Sequence, residues 1–212
     1  MDGAGAAAVR ISLAGARRFR MRRAKWSLGR LCAACLLPLL FFTPSIRAQE
    51  KPSEYDVKAA YLFTFGKFVT WPPAVKERAT EPFTICILGQ DPFKGALDAI
   101  VSQGRIAGLP AATQRLSKLD PDTIARCRVI FISSSEEKQL EQILASLGRA
   151  QILTVSDIAG FSRRGGMIEF VLDQDKVRFT VNLAAARSAG LVLSSELLKV
   201  ALTVREDGRH GE

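Results

Sequence analysis

Apolar and polar positions divide the chain into alternating helix-like and strand-like segments. From Glu54 to Trp71 apolar residues recur at Val57, Ala60, Tyr61, Phe63, Phe65, Phe68 and Val69. Most of these intervals suit one helix face, and Pro72-Pro73 should stop the helix. Its aromatic content predicts a stripe buried against a sheet. Residues 74–82 read as a charged loop. Phe83 to Gly89 is then an apolar, β-branched run stopped by glycine, as expected of a buried strand. Asp91-Pro92-Phe93 should open a helix to about Ser102, with Asp91 as N-cap and Pro92 in the first helical position.

Residues 105–107 and 111–116 read as short edge strands parted by Gly108 and Pro110. After Asp120-Pro121 and a helical turn, Arg128 to Ser133 is a second buried strand. Ser134 or Ser135 should cap a helix to Leu147, with Glu136 and Glu137 in the first turn, where the helix dipole favours acids. Gln151 to Ser156 is a third core strand, and Asp157 to Arg164 a turn or short helix. Gly165-Gly166 precedes an antiparallel pair, Met167–Leu172 and Lys176–Asn182, joined at Asp173-Gln174-Asp175. In the second arm Val177, Phe179 and Val181 alternate with polar residues. Ala184 to Val204 reads as a terminal helix broken near Gly190, and 206–212 as a polar tail.

Strands alternating with helices, closed by a hairpin, predict a single three-layer α/β domain. It should have a mixed sheet with helices on both faces, its parallel centre formed by 83–89, 128–133 and 151–156. The domain should occupy residues 54–205, after a short linker at 49–53.

Charge changes the picture of the first 48 residues. The chain has 212 residues and a net charge of +9. Nine basic residues against the single Asp2 give the leader +8, which leaves +1 for residues 49–212. Nucleic-acid binding needs basic charge on the folded surface, so no nucleic-acid partner is expected. Basic residues from Arg17 to Lys25 precede the apolar run Leu31 to Phe42, and a small-residue cut fits Ile46-Arg47-Ala48. These are the parts of a cleavable secretory signal, whose apolar run spans roughly 7–15 residues. A bilayer span takes about 20 residues, so a retained anchor is the lesser alternative. Met21 begins a compact signal by itself and is a candidate start. The arginine pairs lack the Phe-Leu of a twin-arginine signal, which favours the general secretory route and a periplasmic destination. Cys32 and Cys35 leave with the leader. Cys86 and Cys127 remain, and an even pair in an oxidising compartment points to a bridge, with two buried thiols as the alternative.

Candidate chemistry is sparse. The sole histidine, His210, lies in the polar tail, which speaks against Ser-His-Asp, Cys-His and the common zinc arrangements. Gly160-Phe-Ser-Arg-Arg164 begins like a nucleophile elbow but lacks its closing glycine. No nucleotide fingerprint occurs. Asp173 and Asp175 suit a turn. The reading is a non-enzyme without metal or cofactor. Two candidate surfaces remain. Ser134 and Asp157 follow core strands, where open α/β sheets bind ligands, although serines also simply cap helices. Phe161, Arg163 and Arg164, with Trp71 as a further anchor, are side-chain types that favour interfaces; both aromatics could equally belong to the core.

Several blocks together resemble the YfiR family. They are Glu54 to Pro72 (EYDVKAAYLFTFGKFVTWP), Ile85 to Phe93, Cys127 to Ser133, Leu153 to Asp157, Gly165 to Ile168, Arg178 to Asn182 and Gly190 to Leu198. They stand in family order across nearly all of residues 54–204. The resemblance implies a periplasmic regulator, often a homodimer. In its best-known form it represses a YfiN-type inner-membrane diguanylate cyclase by binding the periplasmic sensor domain. An outer-membrane lipoprotein then sequesters the repressor, and cyclic-di-GMP signalling and biofilm formation follow. Cys86 and Cys127 match one family disulfide position. The second cysteine pair of some members, around 160–169, is missing, which implies a less rigid loop. A membrane kinase is a possible partner in place of the cyclase, and a small-molecule sensor or carrier using the Ser134–Asp157 crevice is the alternative function.

Overall fold

The computed structural model describes residues 52–72, 81–148 and 150–206. The leader with Met21, Pro73, most of the 74–82 loop and the tail bearing His210 lie outside them.

Helix α1 spans Glu54–Lys67. Ser53 caps it reciprocally: its Oγ accepts from the Asp56 amide, and its own amide donates to Asp56 Oδ2. The helix buries Lys58, Ala59, Leu62, Phe65 and Gly66, whereas Ala60 and Phe68 are exposed. It is shorter than the spacing predicts. Phe68 closes it, and Val69–Thr70 (β1) pairs antiparallel with Val192–Leu193 (β9) in a separate two-stranded ribbon. The β-branched pair Val69-Thr70, followed by Trp71 held extended before Pro72, favours this path over another helical turn.

The main sheet contains β2 (Phe83–Leu88), β3 (Arg105–Ile106), β4 (Leu109–Leu116), β5 (Cys127–Ile132), β6 (Leu153–Ser156), β7 (Ile168–Asp173), β8 (Lys176–Asn182) and β10 (Thr203–Arg205). Their spatial order is β10-β8-β7-β6-β5-β2-β4-β3. The run from β4 to β7 is parallel, so the expected centre extends by one strand on each side. β7 and β8 form the expected hairpin. Gln174 and Asp175 both have positive φ, which suits a tight turn between right-twisted strands.

Helices cover both faces. On one side α1, α2 (Ala96–Val101), α5 (Leu183–Ser188) and α6 (Ser195–Val200) contribute to the larger apolar cluster. On the other, α4 (Leu140–Leu147) packs on a smaller cluster, with Ile124 of α3 (Pro121–Arg126) at its margin.

Three expectations need correction here. Asp91 does not cap α2: its Oδ1 accepts from the Phe93 amide in a local turn, and the helix starts only after Gly95, a left-handed residue. Ser133, not Ser134 or Ser135, opens the next helix, whose first stretch (134–139) is a 3₁₀ turn. The terminal segment is no single helix. Gly190 reverses the chain after α5, and α6 ends before β10, which adds a parallel strand beside β8.

Cys86 and Cys127 form a disulfide with a Cα–Cα distance of 5.8 Å, as expected. Its geometry depends on a register shift. Thr84 pairs with Cys127 but Ile85 pairs with Val129, which leaves Arg128 as an extra residue. That bulge turns Cys127 toward the face of Cys86, Ile130 and Ile132.

Candidate functional site

The C-terminal end of the sheet is stepped. β6 stops at Ser156, opposite Glu169, while β7 runs on through Phe170, Val171 and Leu172. Between this overhang and the first turns of α1 lies a groove of about 470 Å³. Ser134 after β5 and Asp157 after β6 both line it, so the two residues named from sequence share one groove.

Asp157 ties α1 to the sheet. Its Oδ2 accepts from Lys58 Nζ at 2.7 Å and from the Tyr55 hydroxyl at 3.0 Å. Lys58 also pairs with Glu54 at 2.5 Å and lies 4.4 Å from the centroid of the Tyr55 ring. Burial pulls the Lys58 ammonium down, but the hydrogen bonds to Asp157 and Glu54 outweigh it and the net shift is upward. Burial first, and then the Asp157 charge, raise the Tyr55 phenol. The other carboxylate oxygen, Asp157 Oδ1, is buried without a hydrogen-bond partner among the described residues.

Glu54, Tyr55 and Lys58 were not singled out from sequence. The signal was available for Lys58: with Leu62 and Phe65 it falls on the buried stripe of α1, where a charge requires a partner.

The second surface is the crossover loop 157–167. Parallel neighbours usually need a helix between them; here a side-chain network fixes the chain instead. Glu169 on β7 is buried and accepts from the Gly160 amide at 2.7 Å, the Ser162 amide at 2.9 Å and the Ser162 hydroxyl at 2.6 Å. Asn182 Nδ2 donates to the Ser162 carbonyl at 2.9 Å. Gly166 has no room for a side chain, since a Cβ would meet the Phe161 ring at 2.1 Å. The missing second cysteine pair therefore does not leave this loop untethered.

This architecture revises the interface candidates. Phe161 is fully buried in the smaller cluster and Trp71 is buried against Phe83, with ring centroids 5.2 Å apart. Neither is presented to a partner, because each fills apolar space beside the sheet. Arg163 is exposed at the loop surface. Arg164 bends back to α4 and pairs with Glu141 at 2.6 Å, which holds that carboxyl below its ordinary value. Apolar exposure occurs elsewhere, at Phe68 beside the small ribbon, at Val192 within it and at Leu172 on the overhang. Among the described residues, no group of three or more His, Cys, Asp and Glu is placed to hold a metal ion. No helix among them is long and apolar enough to cross a membrane.

Fold and site together define a mixed-sheet α/β domain with a polar groove at the strand ends and a braced basic loop beside it. The YfiR/HmsC-like family matches residues 55–202, and the chain belongs to that family. At family level this is a regulatory, non-catalytic group acting on diguanylate cyclases from the periplasm. Two solved structures are also similar. One is an ABC domain in complex with L-Trp from Streptococcus pneumonia, 13% identical with a TM-score of 0.48, covering 69% of this chain and 60% of that one. The other is a conserved domain protein from Vibrio cholerae O1 biovar El Tor, 12% identical with a TM-score of 0.42, covering 63% and 58%. The chain spans less than two thirds of either structure's length.

Proposed function

We propose that this chain is a non-catalytic periplasmic regulator that binds the periplasmic sensor domain of an inner-membrane diguanylate cyclase and holds the enzyme inactive. The observation that carries this reading is the family match across residues 55–202. The crossover loop supports it physically. Arg163 is exposed on a backbone already fixed by Glu169 and Asn182, so docking through it orders little additional chain. Arginine is among the residues that most often anchor interfaces. The same reading includes a homodimer as the acting form, release by an outer-membrane lipoprotein, and delivery by a cleavable leader. A membrane kinase with a periplasmic sensor is the second candidate target.

The test is co-expression of the full chain with each periplasmic-sensor cyclase of its host, with cyclic-di-GMP as the readout. One cyclase should lose at least five-fold in product, and Arg163→Glu should restore most of it. Unchanged cyclic-di-GMP with every such cyclase, with the chain verified in the periplasm, would refute the assignment to a cyclase.

A further inference from the structure

The two edges of the main sheet are finished differently. At one end β10 has only three residues, and so short an edge offers little to a further strand. At the other end β4 has eight residues, but β3 covers only its first two, with Arg105 opposite Pro110 and Ile106 opposite Leu109. No strand among the described residues lies beyond the stretch from Ala112 to Leu116. Two bonds fix which way the backbone faces there. The Ala111 amide donates outward to the Gly104 carbonyl at 3.0 Å, and the Leu116 carbonyl accepts on the inner side from the Gly89 amide at 3.1 Å, just past β2. A strand residue directs its N–H and C=O to one side, and its neighbours direct theirs to the other. Thr113 and Arg115, in phase with Ala111, therefore direct both groups away from β2, along the open edge.

The open stretch reads Ala111-Ala-Thr-Gln-Arg115, and it fits an antiparallel copy of itself. About a two-fold axis at Thr113, that residue faces its own copy, Ala111 faces Arg115 and Ala112 faces Gln114. Each long side chain then meets an alanine and has room. Outward-directed residues also meet outward-directed residues, so the amides of Thr113 and Arg115 each reach a carbonyl of the other copy. A shift by one residue sets outward groups against inward ones and forfeits these bonds. A shift by two either runs into β3 or brings the two Arg115 side chains together, and like charges across a strand pair are unfavourable. The one charge in the stretch, Arg115, is balanced within its own copy by Asp91 and Asp98, so it does not guard the edge as a lone lysine would.

We propose that β4 is the homodimer interface, pairing antiparallel with β4 of a second copy about a two-fold axis at Thr113, so that two sheets join into one. This deepens the proposed function and rests on its homodimer. Thr113→Pro tests it in the purified full chain. A proline there removes only an outward amide and leaves the ladder to β2 intact, so sedimentation equilibrium should show dimerisation weakened at least ten-fold. Thr113→Cys gives an independent test that needs no proline in the strand. Hydrogen-bonded residues across an antiparallel pair lie about 5.5 Å apart at Cα, within disulfide reach. Mild oxidation should yield at least ten-fold more covalent dimer than the control Thr203→Cys on β10. A dimer that Thr113→Pro leaves unaltered, or one that cross-links equally at the two positions, would overturn this interface while leaving the homodimer standing. A monomeric chain, whatever covers the edge, would overturn both.

Discussion

The two faces of the sheet are built by different means. On the α1 side Phe65 stacks on Phe170 at 5.7 Å and meets Phe179 edge-on at 5.0 Å, while Phe93 meets Phe131 at 4.9 Å. On the α4 side the packing is mostly aliphatic, and a covalent bond joins two neighbouring strands inside it. The aromatic face has area enough to be held by burial and ring contacts. The opposite face is smaller and less extensively covered, and its cross-link acts chiefly by restricting the unfolded chain. Both faces therefore support the same sheet, one through the native state and the other largely through the denatured one.

This contrast is open to experiment. Phe65→Ala should have the largest effect, a loss of about 3–5 kcal/mol in urea unfolding, because it empties the centre of the aromatic stack. A loss under about 1 kcal/mol would show that the stack is not what holds this face. Replacing both cysteines by alanine should cost about 4 kcal/mol for a closed loop of this length. If the cross-link acts on the unfolded chain, the m-value should rise as the denatured state expands, and an unchanged m-value would argue against that division. Glu169→Gln should cost about 1–3 kcal/mol, with faster amide exchange confined to Gly160 and Ser162. Exchange that spreads through the sheet would instead assign Glu169 to the global core.

The smallest effect concerns acid. Arg115 bridges Asp91 and Asp98, and Thr113 donates to Asp98; these bonds hold the Asp98 carboxyl at about 2. A carboxyl lowered on folding contributes stability above its unfolded value, and loses it as pH falls through the folded one. The Asp98 contribution should therefore be complete above about pH 4 and vanish towards pH 2. With 42% of its side chain exposed, screening limits the worth of the pair to about 0.5 kcal/mol. Asp98→Asn should flatten the acid limb of stability by that amount, and an identical acid limb would remove the network from the account.

Much of the fold was legible because core strands announce themselves. Phe83–Leu88, Cys127–Ile132 and Leu153–Ser156 are β-branched, largely apolar segments buried at every position, and their parallel pairing follows from the helices between them. The end of the chain was not. Its β-strands are two and three residues long, too short for a period to show, and tertiary pairing overrides the helical spacing. At the site, Asp157 and Ser134 were legible from their place after core strands. The partners of Asp157, Tyr55 and Lys58, come from about a hundred residues earlier, at separations of 102 and 99, and no local pattern carries that contact. Phe161 and Trp71 illustrate the opposite limit: an aromatic beside glycines or prolines suits a core or an interface equally, and only burial decides.

The bulge at Arg128 has a consequence for how this polypeptide tolerates change. Side chains along a strand alternate with a strict phase, and the single extra residue is what brings two sulfurs into phase across neighbouring strands. Removing one residue there would keep both cysteines in the polypeptide yet turn one of them to the opposite side of the sheet. The thiols would then survive as letters in the sequence while ceasing to be a bond.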